Sequence, residues 1–200
     1  MTDDSVIEVG GSGVDSDGDS GASDYILGVV EGFYGKPWSP VERVRLFERM
    51  KEQKMNCYIY APKDDEKHRN QWRIAYTDQE LAELKELIDA CVKYAIEFVF
   101  SVSPGLSMSF ASTADFELLL AKFVQLKALG CRSFALLWDD INCELQGADA
   151  TTFESPAAAQ CHVTNELLES VGPCKYFLFC PTEYCAAFAQ LRVLICVLFY

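Results

Sequence analysis

Ser133-Phe134-Ala135-Leu136-Leu137-Trp138-Asp139-Asp140 passes in one step from an apolar, strand-like run to two adjacent carboxylates. The run reads as a buried strand, and the carboxylates mark where it leaves the core. An ionised carboxylate at the end of a buried strand costs several kcal/mol unless something pairs with it. Two side by side raise each other's pKa. That arrangement suits acid/base chemistry, in which one carboxyl stays protonated near neutral pH while its neighbour is charged. A helix N-cap or a surface turn also uses Asp, so the dipeptide alone leaves both readings open.

Working outward, the same pattern repeats. Apolar strand-like runs are expected at Ile26–Val30, Cys57–Ala61, Phe98–Val102, Phe134–Trp138 and Tyr176–Phe179. Amphipathic helical stretches lie between them. Ser39-Pro40-Val41-Glu42 is a capping box with Pro at the first helical position, followed by Val44, Phe47 and Met50 on one face. Thr77-Asp78-Gln79-Glu80 is a second box, leading into Leu81, Leu84, Ile88 and Cys91. Ser112 or Thr113 opens a third helix that Gly130 stops, and a fourth runs from about Ser155 to Ser170. Strands alternating with helices predict an α/β fold of parallel βαβ units.

Each strand is followed by polar or special residues: Glu31-Gly32-Phe33-Tyr34-Gly35, Pro62-Lys63-Asp64-Asp65, Ser103-Pro104-Gly105, Asp139-Asp140 and Thr182-Glu183-Tyr184. Barrels and open α/β sheets both place their sites at the C-terminal ends of parallel strands. No Gly-x-Gly-x-x-Gly follows the first strand, so a dinucleotide site is not indicated. Loops after four of the five strands converge more naturally in a barrel.

Composition narrows the classes. The chain has 200 residues, enough for one domain with a real core. Its formal charge of −13 argues against a nucleic-acid-binding surface. Asp3, Asp4, Glu8, Asp15, Asp17, Asp19 and Asp24 fall in residues 1–24 with no Lys or Arg; without these seven acids the charge is −6. This Gly-, Ser- and Asp-rich leader is expected to be disordered. Asp15-Ser16-Asp17-Gly18-Asp19 lacks the later Gly and Glu of a calcium loop. No signal peptide is evident at the N-terminus, and no run reaches the roughly 20 apolar residues of a membrane span. The nine cysteines show no zinc-finger spacing, which fits reduced, buried thiols in a cytosolic or nuclear protein. No metal-ligand cluster accompanies the aspartates, so neither metal nor cofactor is expected.

Several stretches together resemble the catalytic domain of the O-GlcNAcase family, glycoside hydrolase family 84. They are Gly28-Val29-Val30-Glu31-Gly32-Phe33-Tyr34-Gly35-Lys36-Pro37-Trp38, Tyr60-Ala61-Pro62-Lys63-Asp64-Asp65 with Lys67-His68-Arg69, Ser103-Pro104-Gly105, Cys131 through Asp140, and Phe179-Cys180-Pro181-Thr182-Glu183-Tyr184-Cys185. The resemblance covers about residues 25–185, in order. It implies a (β/α)8 TIM-barrel fold that removes N-acetylglucosamine from Ser and Thr of cytoplasmic and nuclear proteins. It implies substrate-assisted retention, an exception to the two-carboxylate scheme, in which the sugar's acetamido oxygen is the nucleophile. By position, Asp139 would orient the acetamido group and Asp140 would be the general acid and base.

The resemblance further assigns Gly32 to close backbone approach to the sugar, Lys63 to sugar hydroxyls and Tyr184 to the acetamido pocket. Read alone, Gly32 serves a tight turn, Lys63 pairs with Asp64 or Asp65, and Tyr184 is a core aromatic. His68, between Lys67 and Arg69, reads as a solvated residue; Trp38 and Trp72 read as packing. The partners implied are O-GlcNAc-modified proteins, with no nucleic acid and no membrane, and a homodimer for the full-length form.

A barrel of this type takes about 250 residues. The pattern supplies five of its eight βα units, so the expectation is an incomplete barrel with an apolar, non-family tail over residues 186–200, of which Leu191 to Tyr200 could add a strand. An inactive fragment or interaction module is therefore one alternative. A hexosaminidase or hyaluronidase of the same family is another.

Overall fold

A computed structural model describes residues 25–142 and 144–185. The acidic leader and the tail from residue 186, with its expected extra strand, lie outside the described residues. Five strands form one sheet: β1 (Gly28–Glu31), β2 (Cys57–Tyr60), β3 (Glu97–Val102), β4 (Ser133–Leu137) and β5 (Tyr176–Cys180). Helices α1 (Pro40–Glu52), α2 (Asp78–Lys93), α3 (Thr113–Ala128), α4 (Gly147–Thr152) and α5 (Pro156–Val171) connect them. Every pairing is parallel, and the strands lie in chain order β1-β2-β3-β4-β5. A doubly wound sheet would reverse its order at a switch point. Unreversed order is that of a TIM-type barrel wall, here five strands of it.

Local chemistry explains the helix bounds. Ser39 and Glu42 close their capping box in both directions, and Thr77 and Glu80 do the same for α2. At the end of α3, Gly130 has φ 93°. Its N–H donates to the Lys127 carbonyl and that of Cys131 to the Leu126 carbonyl, a Schellman motif. Helix α4 was not expected from the sequence. It has six residues and no side-chain cap.

Two apolar clusters occupy the two faces of the sheet. Tyr58, Phe98, Phe100, Phe134, Leu136 and Trp138 pack against Phe47, Ile88, Phe123 and Leu167 from the helices. On the other face Cys57, Val99 and Ala135 pack with Ile59, Leu137 and Leu178. Side chains alternate along a strand, so β2, β3 and β4 present odd-numbered residues to this second, inner face and β5 presents even-numbered ones. Burial pushes the Cys57 and Cys131 thiols up to about 11, which keeps them protonated. Seven cysteines in the described residues are free thiols.

Two further buried carboxylates on the sheet are absorbed by structural partners. Glu31, fully buried, accepts two hydrogen bonds from Arg43 at 2.9 and 2.8 Å, one from the Trp38 N–H at 2.9 Å and one from the Tyr58 hydroxyl. At the opposite end of the sheet Glu97 accepts from Ser133, Arg132 and Lys175 at 2.7–3.0 Å. Among the described residues, β1 and β5 each pair on one side only.

Candidate active site

The alternation that defines the inner face carries past the strand ends. Lys63 after β2, Ser103 after β3 and Asp139 after β4 all keep inner-face parity. They meet there. Lys63 Nζ lies 2.5 Å from Asp139 Oδ2. The Ser103 hydroxyl donates to Asp139 Oδ1 at 3.3 Å. Lys63 thus pairs with a carboxylate from a distant strand, not with its neighbours Asp64 and Asp65.

Strict alternation would send Asp140 to the opposite face. Its φ of 53° prevents this. The left-handed backbone turns the chain at Asp140, a conformation that Asp tolerates better than most residues. Asp140 is exposed, between two phenols from different loops. Tyr34 Oη donates to its Oδ2 at 3.5 Å and Tyr184 Oη to its Oδ1 at 3.4 Å. The two carboxylates therefore sit in unlike settings: one half-buried and ion-paired, the other open to solvent.

Electrostatics separates them further. Burial pushes the Asp139 carboxyl upward, but the hydrogen bond and charge of Lys63, with the charge of Arg69, outweigh it and leave the group below its ordinary value. The Asp140 charge raises the Tyr184 phenol and so keeps it a donor. Gly32 follows β1, and the Lys63 N–H holds the next residue in place by donating to the Phe33 carbonyl at 3.3 Å. A Cβ at Gly32 would meet only Val30 Cγ1, at 3.2 Å, and its φ is not in the left-handed region. A tight turn is thus not what requires glycine there; in this loop Gly35, with φ 100°, has that role.

Three residues of the site carry no signal of their own in the sequence. Arg69, buried, donates to the Asp140 carbonyl at 3.2 Å and to Ser103 Oγ at 3.4 Å. Ser103 links that guanidinium to Asp139. Tyr34 caps Asp140. Each lies in a quoted motif, but only the fold brings them together. His68 departs from the solvated setting expected of it. It is fully buried, not solvated, because its ring reaches the Ser101 carbonyl at 2.8 Å and its own carbonyl accepts from the Ser103 N–H at 2.9 Å. A carbonyl only accepts, so Nδ1 carries the proton. Burial lowers the ring's pKa to about 4, so it is neutral. Trp72 is fully buried and Trp38 packs against Phe33, consistent with packing roles. Among the described residues no three His, Cys, Asp or Glu side chains gather as a metal site would require. No helix among them is long and apolar enough to cross a membrane.

The family model for beta-N-acetylglucosaminidase matches residues 27–193. The chain belongs to the beta-N-acetylglucosaminidase family. It is 47% identical to protein O-GlcNAcase of Mus musculus over 173 residues, covering 86% of this chain and 19% of the mouse protein. It is also 47% identical to protein O-GlcNAcase of Rattus norvegicus over 168 residues, 84% of this chain and 18% of the rat protein. A solved O-GlcNAc hydrolase mutant from Thermobaculum terrenum superposes with a TM-score of 0.76 at 35% identity, covering 80% of this chain and 35% of that one. The chain thus spans about a fifth of the length of these rodent relatives. The part shared with the family includes all five described strands and both aspartates.

Proposed function

We propose that this chain supplies the acid/base pair of a β-N-acetylglucosaminidase that removes O-linked N-acetylglucosamine from Ser and Thr of proteins by substrate-assisted retaining hydrolysis. The observation that carries the reading is the unlike setting of two adjacent carboxylates. Asp139, ion-paired with Lys63, is ionised and accepts the acetamido N–H, which raises electron density on the acetamido oxygen. That oxygen attacks the anomeric carbon as the bond to the Ser or Thr oxygen breaks. Asp140, exposed to the incoming glycoside, gives its proton to the departing oxygen and later takes one from the water that opens the cyclic intermediate. Gly32 admits the sugar close to the backbone, Lys63 donates to a sugar hydroxyl and Tyr184 lines the acetamido pocket.

The substrates in this reading are O-GlcNAc-modified proteins of the cytoplasm and nucleus. Support for those compartments comes from the free cysteines. A homodimer of the full-length form belongs to the same proposal, on the resemblance alone.

The test is a chimera in which residues 27–193 replace the matching segment of mouse O-GlcNAcase. Turnover of a fluorogenic N-acetyl-β-glucosaminide well above that of its Asp140→Asn form is expected. A folded chimera no more active than that blank would overturn the reading.

A further inference from the structure

Asp140 departs from the strand alternation at one backbone angle, and one side chain holds that angle from below. Arg69 comes from the loop after β2, is 5% exposed, and directs its guanidinium at the end of β4. Nη2 reaches the Asp140 carbonyl at 3.2 Å, on the residue whose φ is 53°. Nη1 reaches Ser103 Oγ at 3.4 Å, and that hydroxyl donates to Asp139 Oδ1 at 3.3 Å. A planar guanidinium offers donors in a fixed fork, so the two contacts constrain each other's direction. Without the fork, neither the left-handed turn nor the Ser103 rotamer has a second restraint from the β2 loop.

The loop itself is anchored next to Arg69. The His68 ring donates to the Ser101 carbonyl and the His68 carbonyl accepts from the Ser103 N–H, which fixes this segment to β3. The guanidinium therefore connects three strand ends through rigid backbone. A left-handed, non-glycine residue is strained and persists only where surrounding structure over-determines it.

We infer that Arg69 is the positioning residue that sets the angle between the two site carboxylates, holding Asp140 through its backbone carbonyl and Asp139 through Ser103. The inference rests on the proposed glycosidase reading for its kinetic arm only. Arg69 touches no reacting atom. Its effect on Asp140 is geometric. Its effect on Asp139 is also electrostatic, since its positive charge favours the ionised carboxylate.

These two effects can be separated by substitution. Arg69→Lys keeps the charge and loses the fork; Arg69→Met loses both; Ser103→Ala cuts only the link to Asp139. The first readout needs no activity. In the 200-residue chain labelled with 13C at aspartate carboxyls, the Asp139 titration midpoint should rise in Arg69→Met and stay near wild type in Arg69→Lys. An unchanged midpoint in Arg69→Met overturns the electrostatic half of the assignment. The second readout uses the chimera. Both Arg69 variants should lose about a hundredfold on substrates with poor leaving groups, as expected for a misplaced catalytic group. Arg69→Lys, which keeps the charge beside Asp139, should lose far less on aryl glycosides whose leaving groups need little protonation, whereas Arg69→Met should lose on both classes because acetamido attack weakens as well. A residue that only stabilises the fold would lower both substrate classes equally. Equal losses in folded Arg69→Lys, or no loss in either folded variant, overturn the positioning role. A folded wild-type chimera without activity would overturn the glycosidase reading, and the carboxyl titration then decides the electrostatic half of Arg69's role. Ser103→Ala, a small change, should show a milder loss and an Asp139 midpoint shifted in the same direction as Arg69→Met.

Discussion

Lys63 and Asp139 lie 76 residues apart in the chain, and their charged atoms are 2.5 Å apart at the ends of two strands. Because the pair depresses the Asp139 carboxyl, its contribution to stability is complete above the unfolded value of about 3.9 and is lost as pH falls through the folded value. Lys63→Met should raise the Asp139 titration midpoint and destabilise the fold at pH 7 by about 1.5–3 kcal/mol, the range for hydrogen bonds to charged groups. The loss should shrink as the carboxyl protonates in acid. Denaturant titrations at neutral pH and near pH 3 check this; equal losses at both would show that the charge is not the stabilising element.

The unlike settings of the aspartates give them separable kinetic signatures. In the chimera, Asp140→Asn should lose about 10²–10⁴-fold on poor leaving groups, the usual range for a general acid, and much less on very acidic ones. Asp139→Asn should impair both, since acetamido attack weakens in either case. A leaving-group series measured as kcat/KM distinguishes the two. Equal losses across the series for Asp140→Asn would reverse the assignment of roles.

Much of this fold could be read directly. The strands are apolar runs with sharp ends, and the boxes Ser39–Glu42 and Thr77–Glu80 mark helix starts by local chemistry. Observed strand ends fall within two residues of those expected, as at Gly28–Glu31 against Ile26–Val30. Short α4 carries no cap signal, and its Asp149 is used to accept from the Phe110 and Ala111 N–H groups. At the site, the aspartates stood out because they break an apolar run. The Lys63–Asp139 pair, the Arg69 fork and the burial of His68 did not, because each depends on contacts between residues more than 30 positions apart. Sequence-local reasoning places Lys63 beside Asp64 and His68 beside Lys67; tertiary packing overrides both.

His68 has a consequence of its own. Burial lowers its pKa to about 4, against about 6.5 unfolded, with Asp65, Lys63 and Asp139 as its charged neighbours. Between those values the unfolded chain binds more protons, so stability rises with pH through that window, by on the order of 3 kcal/mol. His68→Gln does not titrate and should flatten the rise. Denaturation midpoints at pH 4.5, 5.5 and 6.5 measure it. An unaltered slope in the variant would assign the acid sensitivity to other groups.

Two glycines separate packing from function. A Cβ at Gly28 would lie 2.0 Å from the Cys57 carbonyl oxygen, a backbone atom that cannot move aside without breaking the β1–β2 register. Gly28→Ala should cost about 3 kcal/mol, lowering the melting temperature by about 6–12 °C. At Gly32 a Cβ meets only Val30 Cγ1 at 3.2 Å, the tip of a side chain. Gly32→Ala should leave the melting temperature nearly unchanged while weakening substrate binding in the chimera. A large thermal shift at Gly32 with KM intact would make it a structural residue instead.

Assays on the 200-residue polypeptide by itself should differ from those on the chimera. The described strands form an open wall, with β1 and β5 each paired on one side. On its inner face Val30 is 54% exposed and Leu178 only half-buried. A site at the top of such a wall has side chains on the flank that these strands build and none, among the described residues, facing them. Positioning supplies roughly 7–11 kcal/mol of barrier lowering when a site surrounds its substrate. An acid/base pair on one flank keeps its proton chemistry and loses most of that contribution. The expected result is no turnover of a fluorogenic N-acetylglucosaminide above an Asp140→Asn blank, from soluble protein whose Asp139 still titrates as an ion-paired carboxyl. Turnover well above that blank would mean that Gly32, Lys63, Asp139, Asp140 and Tyr184 hold the sugar without an opposing wall.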